Sequence, residues 1–263
     1  MLSGYIEIAK KNFQSSMAFR MNTFMGILNT FIIVLINISI WRALYGNNTT
    51  INGVSFMMMV TNLIMGIGIS NVFNINEFFV SAKIRTGAIT VDLLRPMSFQ
   101  GYVLAYNLGK IFYKIVVEFF PTLILCFFIF GLLPPISFIA FLLFLVSLSL
   151  GFLVLYNLSY ILSMISFWYF NIWSFVTIKN ALIVILSGIY LPYWFMPDWL
   201  RNIVGFTPFE ALYAIPMGLY FGRIDISSAA LLMGKQVLWI ALLWSVGQAL
   251  WKIGCKRLVI QGG

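Results

Sequence analysis

Long apolar stretches alternate with short polar or charged breaks along the chain, and the breaks are spaced at membrane-crossing lengths. A crossing helix needs about 20 predominantly apolar residues, each rising about 1.5 Å. The window between Arg20 and Arg42 holds no charge and predicts a first span over residues 21–45. The octet Gly46-Asn47-Asn48-Thr49-Thr50-Ile51-Asn52-Gly53 reads as a polar turn, after which a second span runs over 55–79. From Phe119 to Ile178 there is no charged residue, which is too long for one helix. Gly131-Leu132-Leu133-Pro134-Pro135 divides it, giving spans over 103–130 and 136–166. A fifth span covers 171–191 and a sixth 230–251.

Before the first span the period changes. Leu2, Tyr5, Ile6, Ala9, Phe13 and Met17 recur at spacings of three and four, with Glu7, Lys10, Lys11 and Gln14 on another face. Residues 2–20 therefore predict an amphipathic helix lying in the membrane interface, either as a plain topology anchor or as an elbow that also touches a partner. No small-residue cleavage site follows the first apolar run, which argues against a cleaved signal peptide. The expected fold is an all-α membrane protein, one domain over 1–263 with six transmembrane helices.

Composition supports the periodicity. Apolar residues make up 62% of the 263, and only 9% are charged, against about 25% in soluble domains. That excludes a disordered chain and an ordinary soluble domain. The net charge of +9 has no soluble surface to occupy, so nucleic acid is not an expected partner. Placed on the spans, the basic residues are asymmetric. Lys10, Lys11, Arg20, Lys83, Arg85, Arg95, Lys110, Lys114, Lys252, Lys256 and Arg257 fall on the side of the termini and of the loop after the second span. Arg42, Arg201, Arg223 and Lys235 fall on the other, and Lys179 lies inside the fifth span. The positive-inside bias makes both termini cytoplasmic.

Several chemistries are excluded. The chain has no histidine, and its two cysteines, Cys126 and Cys255, are too far apart for a metal or redox motif and are expected to be unpaired. Gly109-Lys110 and Gly234-Lys235 lack the rest of a phosphate-binding loop. No nucleophile elbow or useful carboxylate pair appears, and Asp92, Asp198, Glu210 and Asp225 are expected in loops. The chain is not expected to be an enzyme, nor to bind a metal or cofactor.

Three regions carry the candidate chemistry. Residues 81–96 combine Gly87, a chain-turning residue, with a short helix from Ala88 to Leu94 that Pro96 stops. Ile84, Ile89, Leu93 and Leu94 with basic flanks fit either a groove on a soluble partner or a lipid surface. Residues 192–222 concentrate Pro192, Pro197, Pro208 and Pro216 with many aromatics, too apolar for a free loop and too broken for a span. Half-helices dipping back into the outer leaflet fit best, with non-helical backbone buried in protein or lining a wet cavity. Glu210 there either faces water, caps a turn or serves an outer gate. Inside the spans, Lys114 and Glu118 are four apart and form an ion pair or contact a substrate, while Lys179 snorkels or lines a pathway. Asn62, Gly66, Gly68 and Asn71, and the small residues from Ser147 to Ser166, mark helix-packing faces.

The pattern Gly87-x-Ile89-x-x-x-Leu93-Leu94-Arg95-Pro96 after the second span resembles the coupling-helix region of type 2 ATP-binding-cassette (ABC-2) exporter permeases of bacteria. Ser187-Gly188, Leu191-Pro192, Pro197-Asp198-Trp199-Leu200 and Thr207-Pro208-Phe209 resemble that family's outer segment. The order of elbow, spans, coupling segment and outer segment extends the resemblance over essentially the whole chain. It implies a multi-pass protein of the bacterial plasma membrane in which two permeases, identical or related, enclose the route among membrane lipids. Two separate ABC ATPase subunits would carry ATP and Mg, which accounts for the missing phosphate-binding loop. By position, Arg85, Gly87, Ile89, Asp92, Leu93, Leu94, Arg95 and Pro96 would couple to the ATPase. Ser187, Gly188, Pro192, Pro197, Trp199, Pro208 and Glu210 would belong to the outer gate or re-entrant region. A secondary transporter, a membrane-embedded enzyme and a membrane-complex scaffold are the alternatives. The first would usually show more spans or an inverted repeat. Aromatic and Met-rich spans suit drug-like or lipid cargo and equally suit lipid-facing surface, so the cargo stays open.

Overall fold

A computed structural model describes residues 2–18 and 20–257, with the side chains of Leu2 and Arg20 outside the description. Phe19, within the expected elbow helix, also lies outside the described residues. Of the described residues, 76% are helical. Helix α1 spans Leu2–Ser16 and α2 Arg20–Tyr45; a two-residue-per-strand hairpin, β1 Thr50–Ile51 and β2 Val54–Ser55, leads into α3, Phe56–Val72. Then come α4 Phe78–Arg85, α5 Ile89–Leu93, α6 Phe99–Lys114, α7 Phe120–Phe130, α8 Phe138–Met164, α9 Trp173–Leu186, α10 Asp198–Gly205, α11 Ala214–Tyr220 and α12 Ile226–Cys255.

Among the described residues, four helical stretches are long and apolar enough to cross a membrane: Met21–Tyr45, Phe99–Phe130, Phe138–Phe167 and Ile226–Cys255. Two shorter apolar helices, Phe56–Val72 and Trp173–Leu186, occupy the other two expected spans. Each is short for a local reason. The expected 55–79 span stops at Val72 because Asn74 and Asn76 interrupt it. Phe73 N–H closes the helix on Ile69 O, and the Asn76 side chain accepts from Phe78 N–H at 3.1 Å, starting α4 anew. The expected 171–191 span ends at Leu186 because Gly188 adopts φ +88°, left-handed backbone that terminates a helix.

The stretch from α6 to α7 is continuous but for a π-helical turn, Ile115–Phe119, followed by Pro121 near the start of α7. Proline lacks the N–H that an interior helical position would donate, so the backbone widens just before it.

Helix α1 packs lengthwise on α6, as well as carrying its amphipathic pattern. The Tyr5 hydroxyl accepts from Ser98 N–H at 3.1 Å, and Phe13 sits edge-on to Tyr113 at 5.9 Å. Gly109 makes this approach possible, since a Cβ there would lie 2.0 Å from Ala9 O. The main core lies between α3, α8, α11 and α12, with Tyr156, Tyr160, Tyr213 and Phe144 buried. At one end of it Gln100, Asn157 and Gln248 join α6, α8 and α12 through hydrogen bonds of 2.8–2.9 Å.

Gly109→Ala should therefore force α1 off α6 and lower stability by about 1–3 kcal/mol, the usual cost of overpacking. Gly234→Ala, where a Cβ meets nothing within 4 Å, should be neutral or slightly stabilising. Thermal midpoints of the detergent-solubilised variants distinguish the two.

Candidate functional site

The 81–96 segment folds into two short helices at a corner. Gly87, at φ +71° and exposed, reverses the chain after α4. Thr90 N–H and its hydroxyl both donate to Gly87 O, at 3.1 and 2.8 Å, which fixes the start of α5. Five residues are too few to hold a helix alone. Two inward side chains anchor it: Ile89 is 1% exposed and Asp92 is buried. Asp92 was expected in a loop; it lies within α5, where its carboxylate pairs with Lys83 from α4 and with Arg95 Nε at 3.3 Å. Lys83 also donates to the Tyr102 hydroxyl at 3.0 Å, and the Arg95 guanidinium lies over the Tyr102 ring at 4.8 Å. Salt bridge, hydrogen bond and cation–π contact thus tie α4, α5 and α6 together.

With those groups turned inward, the opposite side of α5 is left bare. Leu94 is 86% exposed, Val91 60% and Leu93 44%. Pro96 is exposed beside them, and the Arg85 guanidinium covers the Phe170 ring at 4.2 Å. Three adjacent exposed apolar side chains on a helix anchored from behind make a small apolar knob.

A family model described as ABC-2 family transporter protein matches residues 31–262. The chain belongs to this family. A search of curated proteins gave no match. Members of the ABC-2 family are membrane components of ABC transporters, not themselves catalytic, and membership implies association with ABC ATPase subunits. The chain is accordingly a multi-pass membrane protein and a permease subunit.

In this ABC-2 protein the buried carboxylates, among the described residues, are paired. Lys179 of α9 pairs with Glu77, which is 4% exposed at the break between α3 and α4, and reaches Ser159 Oγ at 3.3 Å. The Lys179 ammonium is thus held by a buried carboxylate. Glu77 escaped the sequence reading; its signal was a lone carboxylate bordering an apolar run with a lone lysine inside another. Lys114 and Glu118 do pair, at 3.5 Å, and Lys114 also donates to Asn71 O at 3.0 Å.

The 188–222 region is built the same way. Pro197 and Asp198 open α10, on whose exposed side Trp199 lies. The chain turns at Pro208 and then inserts α11, all seven of whose residues are buried. Glu210 does not face water. It is 8% exposed and pairs with Lys235 of α12, which also donates to Gly205 O. Gly151 of α8 admits the turn, since a Cβ there would lie 2.7 Å from Ala211 O. That carbonyl is satisfied by Gln236 of α12 at 2.8 Å. Asn62 of α3 donates to Gly188 O and Ile189 O at 3.3 and 3.2 Å, a second role the sequence did not reveal. Ser187 and Pro192 are buried around this junction.

A buried pair stripped of one partner loses far more than a pair removed whole. Lys179→Met should destabilise by about 3–5 kcal/mol, and Glu77→Gln in that background should recover part of the loss. Unfolding midpoints of the two single variants and the double variant, taken as a cycle, give the coupling.

Proposed function

We propose that this chain is the permease subunit of an ATP-driven exporter, that two such permeases enclose the transport route, and that two separate ATPase subunits dock on the 81–96 segment. The single observation that carries the docking assignment is the exposed apolar end of α5, Val91, Leu93 and Leu94, held from behind by Asp92, Lys83 and Arg95. A helix that receives force from a partner needs both properties, a surface to be gripped and a rigid root to pass displacement on. Here the root leads two ways: through Lys83 and Tyr102 to α6, and through α4 to Glu77 and hence Lys179 on α9.

A layout of six spans with both termini cytoplasmic is supported by the four long apolar helices, the two shorter ones and the excess of lysine and arginine on the side of α4 and α5. The 188–222 region then lies on the outer side and dips inward. On α8, Gly151 sits thirteen residues from Phe138, roughly 20 Å along the axis. Irregular backbone at that depth is tolerated where protein satisfies it, as Gln236, Lys235 and Asn62 do here. Glu210 and Lys235 hold this plug to α12 as an outer gate. Gly87, Arg85 and Pro96 shape the docking corner, while ATP and Mg belong to the partner.

Leu94→Asp tests the assignment, because Leu94 makes no buried contact whose loss would unfold the chain. Reconstituted with its ATPase, the variant should insert and fold normally yet lose most transport-coupled stimulation of ATP hydrolysis. Wild-type coupling in Leu94→Asp together with Leu93→Asp would refute docking at α5. Recovery of an active chain without an ATPase, driven by an ion gradient, would refute ATP-driven export.

A further inference from the structure

A polar cavity of about 420 Å³ opens in the crook between α1, α2 and α6, away from both the docking corner and the 188–222 region. Asn12 and Ser16 line it from α1, Thr23 from α2, and Lys110, Lys114 and Glu118 from α6 and the π-helical turn. Its depth follows from helix length. Phe99–Phe130 is 32 residues, about 48 Å, whereas the hydrocarbon layer is about 30 Å. Counted back from Phe130, about 20 residues cross the apolar layer, so the boundary falls near Ile111. Lys110 therefore stands at headgroup depth, on the side of the α4–α5 corner.

The charges in the cavity do not balance. Lys114 is committed to Glu118 and to Asn71 O, a neutral arrangement. Lys110 is half-buried and has no hydrogen bond or ion pair among the described residues. Among the described lining residues, the cavity is thus a polar recess with one surplus positive charge at the membrane surface. By contrast, Lys10, Lys11, Lys252 and Lys256 are exposed to solvent outside it.

We infer that this cavity binds the headgroup of a lipid with one net negative charge, a phosphodiester with no compensating ammonium, from the adjoining leaflet, with Lys110 as its counter-charge and Asn12 and Asn22 as hydrogen-bonding groups. One surplus cation matches one phosphodiester charge, and the bilayer supplies that group at Lys110's depth. The inference rests on the membrane reading alone, not on ATP-driven export.

Native mass spectrometry of the full chain, titrated with phosphatidylglycerol and with phosphatidylcholine of matched acyl chains, tests it. Phosphatidylglycerol should bind more tightly. Lys110→Gln should weaken it about fivefold, the effect of one basic charge at a membrane surface. Lys110→Arg should retain binding, and Lys252→Gln, which removes the same charge elsewhere, should change it less than twofold. Asn22→Asp, which puts a negative charge at the mouth on an exposed position, should weaken binding without touching Lys110, so an unstable Lys110→Gln does not end the test. Equal binding of the two lipids, or equal losses in Lys110→Gln and Lys252→Gln, would overturn the site. Soluble glycerophosphoglycerol should compete poorly; competition at the lipid's own affinity would overturn its lipid source.

Discussion

A carboxylate taken out of water must keep a cation beside it, and in this chain that requirement joins the helices to one another. Four carboxylates are buried among the described residues: Glu77, Asp92, Glu118 and Glu210. Each is matched by one lysine, respectively Lys179, Lys83, Lys114 and Lys235. Glu7, Asp198 and Asp225, the remaining acids, are exposed. In an apolar surrounding an unpaired carboxylate costs several kcal/mol, more than most single packing contacts supply. The pairs therefore fix which element lies beside which: the α3–α4 break against α9, α5 against α4, and the 188–222 region against α12.

These pairs also sit where the helical ladder is interrupted. Glu77 borders the Asn74–Asn76 break, Glu118 lies in the π-helical turn, Asp92 in a five-residue helix between two turns, and Glu210 in the bend before α11. Regular helices satisfy their own backbone and need no such help in lipid. Irregular segments are held by side chains instead, and segments held by a few discrete contacts are the ones able to adopt a second arrangement. The route from α5 through Lys83 to α6, and through α4 and Glu77 to α9, is made of such contacts.

Much of this was legible in the sequence because helix-length apolar windows and charged breaks are strong signals. The positions of the four long helices, the short helix after Gly87, the i,i+4 pair of Lys114 and Glu118, and the broken, buried character of 188–222 all followed from spacing. What was not legible depends on long-range pairing. Glu77 and Lys179 are 102 positions apart, so no local pattern links them. Glu210 looked like a water-facing loop residue because Lys235 lies two elements later. The burial of Asp92 was not legible because its partner Lys83 comes from the neighbouring helix. The break at Asn74–Asn76 was hidden inside a charge-free window, where hydropathy is blind to backbone geometry.

Docking of an ATPase on α5 is tested most directly by photo-crosslinking in the assembled transporter, with benzoylphenylalanine placed at position 94 and, separately, at the exposed position 199. Capture of the ATPase from position 94, absent from position 199, is the result predicted. No capture from position 94, or equal capture from both positions, would contradict it.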